Sequence, residues 1–175
     1  MALSLYDATV ASFQQTLGAV AGVLERGRTF CGEKGIDLAE IVDTRLYPDM
    51  LPFRFQVVAV HHHSQGAIAG AKAGLFQPPA DFGPLDYAGL QKLIADSQTA
   101  LAGVSRDEVD ALAGKDVTFQ MRDFKIPFTA ENFLFSFSLP NFYFHATTAY
   151  DILRSRGAPL GKRDFLGPLR MKSAA

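Results

Sequence analysis

The chain has 175 residues, 48% of them hydrophobic and 20% charged, with 17 Lys and Arg against 18 Asp and Glu. That balance feeds one core, excludes a disordered chain, and leaves too little length for two ordinary domains, so a single domain over residues 1–175 is expected. A formal net charge of -1 provides no bulk field for a polyanion, which argues against nucleic acid as a partner.

In chain order, Leu5, Thr9, Phe13, Leu17, Val20 and Leu24 recur at three and four residues, which predicts helix A from Ser4 to Lys34 with Gly35 at its left-handed end. The run Asp37-Leu38-Ala39-Glu40 reads as a capping box for a short helical turn. Pro48 and Pro52 frame the entry to helix B, expected over 49–74, whose inner face carries Phe53, Val57, His61, Ser64 and Ile68 beside small residues that admit a close neighbour. Gln77-Pro78-Pro79 and Phe82-Gly83-Pro84 predict a rigid extended loop. Leu90, Ile94, Ser97 and Leu101 then mark helix C, ending near Gly103.

Between Lys115 and Thr129 the period changes to two, which predicts a β-hairpin. Helix D is expected over 130–156, opened by Thr129, stopped by Gly157 and kinked at Pro140, which lacks an N–H and presses on the preceding turn. The Gly/Pro/Lys/Arg-rich tail from Gly161 is expected to wrap the surface. Four such helices predict an all-α four-helix bundle with a small hairpin between the third and fourth. The long connections argue against simple up-down-up-down wiring.

The histidines occupy two places, His61 to His63 on helix B and His145 on helix D. Successive helical residues turn by about 100°, so His61 is expected to face inward, His62 to lie at a boundary and His63 to face solvent. Two inward imidazoles on different helices could share a divalent metal with one more donor, leaving an open position for a bound water. The alternative is hydrogen-bonded core or surface histidines, since no HxxxH or HExxH pair exists. Gly157 to Lys162 lacks the length, hydroxyl residue and flanking elements of a phosphate loop. The Phe-rich stretch from Phe119 to Phe144 could line an apolar pocket, fill the core, or mark a dimer face. Asn141 and Tyr150 could orient a ligand at carbonyls freed by Pro140, or simply satisfy the kink.

A lone Cys31 cannot close an internal disulfide and suits a reducing compartment, so a cytoplasmic address is expected. The N-terminal stretch lacks the basic segment of an export signal. No apolar run approaches the roughly 20 residues of a membrane span, so no membrane partner is expected.

The run Leu139-Pro140-Asn141-Phe142-Tyr143-Phe144-His145-Ala146-Thr147-Thr148-Ala149-Tyr150-Asp151-Ile152-Leu153-Arg154, followed by Gly157 to Gly167, closely resembles a bacterial family catalogued as domain of unknown function nineteen-ninety-three. Leu5-Tyr6-Asp7, Arg45 to Met50 and Gln56-Val57 match it further, so the resemblance spans nearly the whole chain. That family resembles the DinB/YfiT-like metalloenzyme superfamily. The resemblance implies a bundle with one crossed connection, often dimeric, and activities around thiol-dependent transferases and related hydrolases and isomerases. In typical members one histidine of the second helix and an HxxxH pair of the last bind a divalent metal such as Zn, Ni or Mn. Carried over, His61, or His62 less directly, matches the first ligand and His145 the second, while the third falls on Ala149. The same reading places Tyr6, Gln56, Asn141 and Tyr150 as pocket or ligand-orienting residues. A homodimer and a small-molecule ligand are the expected partners. Two functions follow: a degenerate metal-dependent transferase or hydrolase, or a non-catalytic dimeric bundle that binds a small molecule or serves in stress.

Overall fold

The computed structural model describes residues 4–79 and 83–172 of the chain. Ser4 caps α1 (Leu5–Ala8), its hydroxyl accepting from the Asp7 amide. The Thr9 hydroxyl turns back to the Leu5 carbonyl, at 2.6 Å. The distorted backbone there, φ -112° and ψ -76°, separates α1 from α2 (Val10–Lys34) and divides the expected helix A. Gly35 ends α2 at φ 65°, the conformation that glycine adopts without steric cost. Asp37 caps α3 (Leu38–Asp43) by accepting from the Ala39 amide at 2.9 Å.

The second long segment starts later than the sequence indicates, after Pro52, as α4 (Phe53–His61). It widens into a π-helical turn over His62–Gly66 and resumes as α5 (Ala67–Ala73). Gly74, at φ 72°, reverses the chain into β1 (Leu75–Phe76). Asp86 caps α6 (Tyr87–Ala102), and a Ser105/Glu108 capping box opens the short α7 (Arg106–Asp110). Then come β2 (Asp116–Met121) and β3 (Phe124–Thr129). The last long segment runs through α8 (Ala130–Asn132), a second π-helical turn (Phe133–Ser138) and α9 (Leu139–Ser155). In the tail, α10 (Lys162–Leu166) packs on α2, and Gln15 Nε2 donates to the Leu166 carbonyl at 3.0 Å. The Phe82 part of the expected loop lies outside the described residues.

Two expectations are corrected. The molecule is mostly helical rather than all-α, and the hairpin belongs to a three-stranded mixed sheet ordered β1-β2-β3. β2 and β3 pair antiparallel, with Phe119 opposite Ile126. The Gly74 reversal lays β1 parallel to β2, with Phe76 beside Phe119. The two-residue β1 carries no detectable period, so sequence pattern could not find it. Second, the break before α9 takes the form of a π-helical turn ending at Ser138, with Pro140 placed in the first turn of α9, where its missing N–H costs little.

The core lies among α2, α4, α6 and α9. Phe13 of α2 meets Phe142 of α9 edge-on at 4.9 Å, and Phe53 of α4 stacks on Tyr87 of α6 at 5.8 Å. α4 packs against both α9 and α6, so it buries two faces.

Candidate functional site

The two faces of α4 and the π-helical turn that continues it carry different histidines. Gln56 and His63 are seven residues apart, two helical turns, and so share the face toward α9. Both are buried, at 2% and 9% exposure. From α9, His145 meets them: its Nδ1 lies 2.8 Å from Gln56 Oε1, and its ring centroid is 5.9 Å from that of His63 with 13° between the planes. The expectation that His63 faces solvent is thereby corrected. A single-stripe reading could not find it, because it allots only one buried face to a helix that here has two.

Hydrogen-bond bookkeeping settles where the His145 proton sits. Gln56 Nε2 donates to the Leu51 carbonyl at 2.8 Å, so the amide oxygen must be the atom facing His145. An amide oxygen only accepts, hence Nδ1 of His145 donates and Nε2 carries a lone pair. Nδ1 of His63 is buried without a partner, and so is Nε2 of His62.

Aromatic walls complete the setting. Phe55 and Phe144 meet His145 edge-on at 5.7 and 5.2 Å. Phe76 stacks on His62 at 4.3 Å and lies 5.6 Å from His63, while Phe137 closes on His63 at 5.7 Å. The two π-helical turns touch here, where the Ser138 hydroxyl donates to the His63 carbonyl at 2.8 Å. These surroundings keep the imidazoles neutral. Burial, then repulsion from His62 and His145, pushes His63 down to about 3. Burial alone takes His145 to about 4. His62 also falls to about 4, chiefly by burial, with the Gln77 backbone opposing and His61 adding.

The remaining sequence candidates lie elsewhere. His61 turns to α6, its Nδ1 2.8 Å from Ser97 Oγ. Asn141 donates to the Phe137 carbonyl at 2.7 Å, satisfying the irregular turn before α9. Tyr150 packs edge-on against Phe165 of α10, and Tyr6 lies under the Arg106 guanidinium at 4.8 Å, beside α7. Gln56 is the orienting residue that stands at the histidine pair. His63 is the residue that sequence reasoning missed; the available signal was its seven-residue spacing from Gln56.

A family model described as domain of unknown function (DUF1993) matches residues 5–166. The chain belongs to the DUF1993 family. This DUF1993 chain is also similar to a DinB family member protein from Shewanella denitrificans, known from a crystal structure. The TM-score is 0.81 at 27% identity, covering 97% of this chain and 96% of that one. None of the curated proteins compared with the chain matches it.

The resemblance implies a three-histidine metal centre, and the DUF1993 residues present do not fit one. Ala149, where a third imidazole would stand, is 2% exposed and packs in the core. His61 is engaged with Ser97 on another face. Among the described residues no group of three or more His, Cys, Asp or Glu is placed to hold a metal ion. Nor is any described helix long and apolar enough to cross a membrane.

Proposed function

We propose that this DUF1993 four-helix bundle binds a small molecule without a resident metal, at the face where His63 meets His145. The observation that carries the reading is the Leu51–Gln56–His145 chain. A buried amide fixes one tautomer of a partly exposed imidazole, leaving Nε2 as its acceptor nitrogen, and the ring lies parallel to a second imidazole with an unsatisfied atom. Buried side-chain polar atoms have a hydrogen-bond partner in the large majority of cases. An imidazole lone pair at this position accepts a hydrogen bond from a ligand.

The test is a thermal-shift screen of small neutral compounds on protein dialysed against a chelator. Ligand-induced rises in Tm are expected to survive chelation and to vanish in His145→Phe, which fills the place of the ring without its nitrogens. Responses that appear only after adding Zn, Ni or Mn, and that disappear in His61→Ala and His145→Ala, would instead support the metal-dependent transferase or hydrolase. We also propose a homodimer, supported by Phe144 at 57% exposure and Tyr47 at 66%. Light scattering of the wild type against Phe144→Asp tests it, a monomeric wild type counting against.

A further inference from the structure

We propose that the ligand of the His63–His145 pair is a neutral molecule bearing an O–H or N–H donor on a flat apolar body. This rests on the small-molecule reading above and narrows it to a chemical class.

Three observations converge on that class. The first is polarity of hydrogen bonding. Because Gln56 holds the proton on Nδ1, His145 offers Nε2 as an acceptor, so the ligand must donate. Behind His145 lies His63, with its Nδ1 unpartnered in a residue 91% buried. The second is charge. The groups that perturb His63 and His145 are burial and other imidazoles, with no carboxylate, lysine or arginine among them. A charged ligand would therefore lose its hydration and gain no counter-ion. The third is shape. The half-buried Phe55 and the exposed Phe144 flank His145, which favours a planar ring over a branched or strongly hydrated body.

The probe pair is phenol and anisole, nearly alike in shape but with the O–H replaced by O–CH3 in the second. Binding to the full-length protein in the presence of chelator is followed through the imidazole ring 15N resonances, with benzoate as the charged comparison. In the free protein the His145 spectrum is expected to show a protonated Nδ1 and an unprotonated Nε2. Phenol is expected to shift that Nε2 resonance and to bind at least about tenfold more tightly than anisole, the worth of one hydrogen bond in a desolvated site. Benzoate is expected to leave both rings unmoved. In Gln56→Leu, which frees the His145 tautomer, the phenol-to-anisole ratio should fall toward one. Where that variant does not fold, the wild-type ratio still decides.

Equal affinities for phenol and anisole, or tighter binding of benzoate, would overturn the assigned class and leave the small-molecule site standing. If none of the three probes moves any resonance of His63, His145, Phe55 or Phe144, the class and the site fall together.

Discussion

Gly27 leaves no room for even a methyl group. A Cβ there would stand 2.7 Å from Tyr87 Oη and 2.9 Å from both Leu153 methyls, while the Tyr87 hydroxyl donates to the Leu24 carbonyl one turn earlier. Gly27→Ala is expected to gain in helix propensity but to lose about 1–3 kcal/mol through overpacking, read as a lower urea midpoint with unchanged slope. The histidines show how far single residues were legible. That His145 turns toward the second helical segment was legible from its place on the last helix, and which residue it meets there was not. His61 lies on the stripe of Val57 and Ser64, which is real, but that stripe leads to Ser97 on α6. Choosing between His61 and His63 requires knowing which neighbour each face of α4 meets, and one sequence does not contain that information.

At the scale of elements, the helices were legible where their apolar period persists and blurred where the backbone departs from it. α6 runs Tyr87–Ala102 with Asp86 as cap, close to the expected helix C. The two π-helical turns were invisible, because one widened turn shifts the hydrophobic phase by less than the width of the apolar stripe. Their contact depends on Ser138, which is wholly buried and donates to the His63 carbonyl. Ser138→Ala leaves that carbonyl without this donor, and a loss of about 1–2 kcal/mol is expected in chemical denaturation. The His63 ring resonances should shift as well, which a remote packing defect would not cause. Phe142 tests the packing of α9 directly. It is fully buried against Phe13, and Phe142→Ala should cost about 3–5 kcal/mol, an effect visible as a fall in Tm.

For the whole molecule, the neutral imidazoles make acid a selective denaturant. The unfolded rings titrate near the ordinary 6.5, while His62 and His145 are held down to about 4 and His63 to about 3. Below 6.5 the unfolded chain therefore binds more protons than the folded one, and stability falls with pH. The urea midpoint is expected to be flat above about pH 7 and to decline from 6.5 downward. Asp7, held down to about 2 chiefly by its hydrogen bond with Arg106, adds stability that is present above its ordinary 3.8 and is lost only as pH falls from there toward 2. The decline at mildly acidic pH thus belongs to the histidines and should be reduced in His63→Gln. A flat profile down to pH 5 would contradict the burial of these rings. At this scale the helical class and the family were legible, since the C-terminal signature carries both. The mixed sheet was not, because it depends on two residues that follow a glycine reversal.

Phe76 reaches His62 and His63 across a single chain reversal at Gly74, whereas the bond from His145 to Gln56 spans 89 residues. Closing the longer loop costs more chain entropy, and contacts between distant segments form late. The two halves of the histidine cluster should consequently form at different moments of refolding. One imidazole pair would already be shielded by its phenyl neighbour while the ring from the last helix is still searching for its amide, so the cluster would be completed only as the final helix docks.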